Sequence, residues 1–374
     1  MLTRVCQLWG TILEFRTFAK TLLIPLGVAA VISGTITDTI AQKPAKQLFG
    51  NRALPAALKP AAHGFYTKGC LAGGVAIPVD GPNWQAMRLS RNRRWGHPDL
   101  IRIIEDLSYK AKSDGWNGLM VGDISQPRGG PMLTGHRSHQ VGLDADIWFN
   151  PMPSRRLSYQ ERENLSAVSV LKRGSVYVDK RRWTKAHTKL LFHAASFPQI
   201  ERVLVHPGVK KQLCDTVKGN RAWLSKIRPT WGHHYHFHLR MKCPPGSPGC
   251  KKQNAPPRKT GCNDGSLDWW FNVEFAPKKK KKKPVKTKPR RLLQLTDLPK
   301  ACRAILTATS PTLEAATFKP VETAFVAPAI KLPKFSAERV LRSKNIEASG
   351  KPASAVVETL SNVSIPIPTP RPGR

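Results

Sequence analysis

Acidic side chains are scarce in this 374-residue chain: 24 Asp and Glu stand against 61 Lys and Arg, a formal net charge of +37. So strong a bias implies an anionic partner: nucleic acid, an acidic membrane surface or an acidic polymer such as peptidoglycan. Further absences narrow the choice. No Cys-x-x-Cys pair occurs, so nothing supports zinc held by thiolates. His-Glu-x-x-His is missing too, which excludes a thermolysin-like helix site. Basic residues are not interleaved with aromatics in the pattern of RNA- or DNA-binding modules, so nucleic acid drops out as a partner. No internal repeat is evident.

Long apolar runs are also few, and the one that matters lies near the start. Arg4, Arg16 and Lys20 precede the uncharged stretch Thr21 to Ile36, Asp38 closes it, and Thr39-Ile40-Ala41 supplies small residues. The pattern predicts a signal peptide over 1–41, cleavage near Ala41 and a periplasmic protein. The run is shorter than the roughly 18 residues of a spanning helix and contains Pro25, so no integral membrane span is expected after cleavage. No Cys follows it to receive a lipid. Of the seven cysteines, Cys6 precedes the run; Cys70, Cys214, Cys243, Cys250, Cys262 and Cys302 remain. An even number in an exported chain predicts three disulfides, in any of 15 connectivities.

Residues 42–66 read as a Pro/Ala/Lys-rich lead-in, and 67–306 as one domain. That domain is interrupted by a basic insert, 276–291, containing the hexalysine Lys278–Lys283. The apolar segment Leu292 to Leu306 carries Cys302 and is expected to dock back. Beyond it, 307–374 is rich in Pro, Ala and Lys, and reads as a disordered tail in electrostatic contact with anionic envelope components. Apolar spacing predicts helices at His97–Lys112 and Thr184–Ser196. Strands are predicted at Gly118–Ile124, Leu143–Phe149, Arg202–His206 and His234–Arg240. Their irregular order predicts an α+β fold: a mixed, mainly antiparallel sheet flanked by helices.

Two stretches carry the chemistry. In Gly135–Trp148, strict alternation from Leu143 places Asp144, Asp146 and Trp148 on one strand face. Aspartate is disfavoured inside a strand, and a metal ion on that face supplies the reason for it. In Trp231–Arg240, Tyr235, Phe237 and Leu239 form an apolar face, while His234, His236 and His238 line the other. Imidazole and carboxylate are the ligands catalytic zinc accepts, at about 2.0–2.2 Å. Two such strands side by side place the metal on the sheet, with His139 completing the shell.

The spacing His139-x6-Asp146 followed by His236-x-His238 resembles the lysostaphin and D-alanyl-D-alanine metallopeptidase group. The fuller words SHQVGLDADIW and GHHYHFHLR are similar to the penicillin-insensitive murein endopeptidases. The resemblance implies His139, Asp146 and His238 as ligands of one catalytic Zn²⁺, a second ion remaining compatible, and His236 as the catalytic base. It extends the site to His136 and His233, and implies disulfides Cys70–Cys302, Cys214–Cys262 and Cys243–Cys250. The implied substrate is peptidoglycan, cut at its D-alanyl–meso-diaminopimelyl cross-links, with Arg128, Arg137 and Arg240 as candidate partners for a substrate carboxylate.

Overall fold

A computed structural model describes residues 43–276, 291–321 and 330–341. The predicted signal segment and the hexalysine lie outside the described residues. The eleven strands are β1 (Ala61–Phe65), β2 (Lys68–Ala72), β3 (Val75–Ala76), β4 (Asp80–Gly81), β5 (Trp84–Ala86) and β6 (Trp95–Gly96), then β7 (Leu119–Val121), β8 (Asp144–Trp148), β9 (Ile200–Val205), β10 (Ile227–Pro229) and β11 (His236–Met241). Seven of them form one sheet in the order β10-β9-β11-β8-β7-β5-β4. The β10–β9 and β5–β7 pairs are parallel and the remaining neighbours antiparallel, giving the mainly antiparallel α+β sheet expected. β8 and β11 sit at its centre, and every residue of both is buried.

Helices flank the sheet, among them α1 (Ala45–Gly50), α2 (Pro98–Ser113), α3 (Tyr159–Asn164), α4 (Lys185–Ser196), α5 (Pro207–Thr216) and α6 (Ala301–Thr307). α2 shows why its sequence folds as it does. His97 caps it by accepting from Asp99 N at 3.3 Å, Pro98 opens the first turn, and Lys110 and Lys112 close the last. Its buried stripe, Leu100, Ile101, Ile104, Leu107 and Ala111, packs beside α4 and into the main core. On α4, His187 is wedged between Trp116 and Trp183, with ring centroids 4.9 Å away in each case. Burial pushes its pKa down from 6.5 to about 4. The folded state therefore resists a proton that the unfolded chain accepts below 6.5. Stability is full above that pH and falls by about 3 kcal/mol as pH drops towards 4. Urea midpoints measured from pH 7 to 4 should show this slope in the wild type and a shallower one in His187→Phe.

A second core joins the two ends of the described chain: Ala45, Phe49, Cys70, Leu295, Leu298, Cys302, Ile305 and Leu306. Disulfides Cys70–Cys302, Cys214–Cys262 and Cys243–Cys250 are the pairs that the resemblance implies. The first spans 232 residues. Cys302→Ser should lower unfolding stability by about 2–5 kcal/mol in urea titrations, because so long a loop leaves the denatured chain much freer.

The segment read as a lead-in, 42–66, is packed: α1 seats Phe49 in the second core, and β1 pairs with β2. The first residues of the segment read as a tail dock as well, while 322–329 and 342–374 lie outside the described residues. Phe318 N donates to Ala76 O at 2.9 Å, Val321 N donates to Glu105, and Ala316 fills a gap beside Trp95. Pro/Ala-rich composition hid this docking because the segment adds no helix or strand of its own and fastens to an existing edge.

Candidate metal centre

β8 and β11 run antiparallel in a register that sets His238 opposite Asp146, His236 opposite Trp148 and Arg240 opposite Asp144. The period of two then places Asp144, Asp146, His236 and His238 on a common face. Asp146 is its hub. Its Oδ1 lies 3.1 Å from His238 Nδ1, 3.5 Å from His139 Nε2 and 3.6 Å from His236 Nε2, while Oδ2 lies 3.6 Å from His136 Nε2. His139 arrives from the preceding turn, where it adopts a left-handed φ of 69°. Gly142 makes that turn: its φ is +69°, and a Cβ there would sit 2.6 Å from Leu71 Cδ2.

The donor set fits a metal ion. His139 Nε2, His236 Nε2, His238 Nε2 and Asp146 Oδ1 are buried and have no hydrogen-bond partner. Leaving such groups unmet in the interior is costly, and a cation bound at Asp146 among the imidazoles would relieve that cost. The outer contacts also point lone pairs inwards. His139 Nδ1 donates to Ile124 O at 2.6 Å, which leaves Nε2 as the electron-pair donor. His238 Nε2 faces Asp144 Oδ1 at 3.1 Å, so its Nδ1 is the atom directed at Asp146. The ligand atoms of His136, His139 and Asp146 all lie within 4.8 Å of one another. The triad read from sequence has His238 in the place of His136; His238 lies outside that group, though its Nδ1 is 3.1 Å from Asp146 Oδ1 and its ring centroid 4.6 Å from that of His139.

Charge is arranged to match. Burial opposes ionisation of Asp146, but His236, His139 and His136 outweigh it and hold the carboxyl well below its usual range. Asp144 behaves likewise, with Arg240 its main counter-charge. Burial pushes His236 down to about 4 against the pull of Asp146, so it is a neutral base at pH 7. His233 has a left-handed φ of 56°, bonds the Trp231 carbonyl through Nδ1 at 2.6 Å and lies 4.9 Å, ring to ring, from His236. His234 departs from the expected face. β11 begins only at His236, and His234 turns away to Ser169 Oγ at 2.9 Å.

The candidate carboxylate partners fare differently. Arg128 is buried and bonds the carbonyls of Ile305 and Leu306 at 2.7 and 2.8 Å, capping the C-terminal end of α6. Arg240 is buried as well. It donates to both Asp144 oxygens, at 2.8 and 3.1 Å, and stacks over Tyr66. Neither can reach a substrate. Arg137 is exposed, on the rim of a neighbouring cavity. Asp123 was missed. It accepts from Arg93 at 2.9 Å, and its Oδ2 lies 3.3 Å from His136 Nε2. Its position as an acid ending an apolar strand was the only signal in the sequence. A cavity of about 450 Å³ opens beside the centre, with His136, Asp146 and His236 in its wall.

The profile of the penicillin-insensitive murein endopeptidases matches residues 62–307. The chain belongs to this family. A relative from Haemophilus influenzae named for that activity is 41% identical over 207 residues, 55% of this chain and 72% of its own. One from Yersinia enterocolitica is 35% identical over 280 residues, 75% of this chain and 95% of its own. A third, from Salmonella heidelberg, is 36% identical over 243 residues, covering 65% and 85%. The family match contains every member of the centre and ends with α6, so residues 308–321 dock on the family domain from outside it. Among the described residues, no helix is long and apolar enough to cross a membrane.

Proposed function

We propose that this chain is an exported, zinc-dependent murein endopeptidase that hydrolyses D-alanyl–meso-diaminopimelyl cross-links. The observation that carries the reading is the convergence of four imidazoles on the buried, ionised Asp146, with His139 Nε2, His236 Nε2, His238 Nε2 and Asp146 Oδ1 lacking hydrogen-bond partners. His139, Asp146 and His238 would hold the ion. When bound, zinc supplies Lewis acidity towards the scissile carbonyl and brings the pKa of a water near neutrality. His236, neutral and on the ligand-bearing face of β11, takes a proton at Nε2 and returns it to the departing amine. Asp144 and the Ile124 carbonyl hold His238 and His139 in the tautomers that this requires. Such chemistry needs no serine or cysteine nucleophile, so a β-lactam has nothing to acylate.

The test is mass spectrometry of products from a defined cross-linked muropeptide dimer. Cleavage between D-alanine and diaminopimelate, lost with a chelator and restored by zinc, is the expected result. Dimers that survive with zinc present, or are cut at another bond, would sink the proposal.

A further inference from the structure

Resting on the cross-link reading, we propose that a second cavity, adjoining the metal centre, takes the amine-side stem peptide of the substrate through its carboxylates. This cavity measures about 510 Å³. Thr134, Gly135 and His136 line it and also line the cavity that holds Asp146 and His236, so the two adjoin with His136 in the wall between them. A substrate whose scissile amide lies at the centre continues past His136 into the second cavity.

Its lining is cationic and apolar together. Lys46, Lys68, Arg137 and Arg291 contribute charge, and among the described residues lining it none is acidic. Arg291 is held at 2.7 Å by Asp297, which lies outside the lining, and the charge of Lys68 acts on the same carboxylate. One carboxylate thus stands against four cations. Among the described residues, neither Lys46 nor Arg137 pairs with a carboxylate. Lys46 is half-buried and Arg137 exposed, and both bring to the cavity N–H donors that carboxylate oxygens match. Met132, Leu133, Leu292 and Leu293 supply an apolar wall suited to methyl and methylene groups.

The charges sit on segments fastened to one another. Gln140 Nε2 donates to Thr67 O and to Arg137 O at 2.9 Å each, and its Oε1 accepts from Gly69 N at 3.3 Å. One side chain therefore ties the start of β2, which bears Lys68, to the loop that bears Arg137. Ala45 N donates to Leu293 O at 2.8 Å, which sets α1, and Lys46 with it, against the 291–293 wall. Disulfide Cys70–Cys302 joins β2 to α6 behind them. A cavity framed in this way has little freedom left to lose on binding.

The proposed substrate is lopsided in charge. Diaminopimelate has two amino-acid ends. On the amine side of the cross-link its distal amino group is consumed in the scissile amide, so the carboxylates of that stem have no ammonium to offset them. On the carbonyl side the corresponding amino group is free and protonated. The amine-side stem is therefore the more anionic of the two, and a cavity with four cations and no lining acid favours it.

The experiment gives zinc-loaded full-length protein three dimers. The first has every carboxylate free. The second is amidated on the amine-side stem, away from the scissile bond, and the third on the carbonyl-side stem. Wild type should cut the second about tenfold less efficiently than the first in kcat/KM, the order expected for a lost charge-assisted hydrogen bond, and the third less than about twofold less efficiently. In Lys46→Gln/Lys68→Gln/Arg137→Gln the amine-side effect should shrink to less than about twofold, with KM on the first dimer rising more than kcat falls. Each comparison is a ratio within one protein, so partial loss of fold does not imitate it, and zinc content checks the centre. Calorimetry with the acid and amide forms of the amine-side stem peptide should show the same loss of discrimination. Equal cleavage of the first two dimers by wild type overturns the subsite. So does a triple variant that keeps the tenfold preference, or a penalty that follows the carbonyl-side stem instead. If wild type cuts none of the three, the cross-link reading fails and this occupant with it.

Discussion

Asp146→Ala should leave the protein without zinc and lower kcat/KM on a cross-linked dimer by about 10³-fold or more, because the ion's whole contribution is lost. Among the described residues, Asp146 is the only carboxylate that His136, His139, His236 and His238 all approach, at 3.1 to 3.6 Å. Without it the centre keeps neutral imidazoles but loses the carboxylate that directly offsets a divalent charge. Zinc per chain by elemental analysis, alongside the rate, separates metal loss from misfolding when far-UV circular dichroism is unchanged. His238→Ala should behave like Asp146→Ala. His136→Ala should retain zinc, since its side chain is 28% exposed and faces the cavity. Full zinc and full activity in Asp146→Ala would end the metal reading.

The second large effect concerns stability. Asp144→Asn should cost about 3–5 kcal/mol of unfolding free energy, because it leaves the buried Arg240 charge without its counter-ion. Asp144 is 0% exposed and accepts from Arg240 Nε at 2.8 Å, Arg240 Nη2 at 3.1 Å and the His139 amide at 2.9 Å. Its folded pKa is depressed, despite burial, chiefly by Arg240. The stabilisation is therefore complete above the unfolded carboxylate value of about 4 and is lost as pH falls below it. Urea titrations at pH 7 and pH 3 should show the two proteins converging in acid. Removing both partners, as Asp144→Leu/Arg240→Met, should recover part of the loss, since no unpaired charge remains. Equal stability of wild type and Asp144→Asn at pH 7 would refute this account.

Arg240 also shows where reading the sequence reached its end. As an arginine two residues beyond His238, it reads from sequence as a partner for a substrate carboxylate. Its burial follows from facing Asp144 across the β8–β11 register, a relation spanning 96 residues. Arg128 repeats the lesson over a longer span, closing on carbonyls 177 and 178 residues away.

What the sequence determined by itself was the chemistry of each strand face. Alternation is a property of consecutive residues, so Asp144 and Asp146, and likewise His236 and His238, had to share a side wherever their strands formed. The apolar spacing of the two long helices is a local pattern of the same kind. Tertiary structure decided which face met which: the register placing Asp146 against His238, the arrival of His136 and Asp123, and the docking of both ends of the described chain. Those outcomes depend on burial and pairing between segments far apart along the chain, where a one-residue slip turns every side chain to the opposite face.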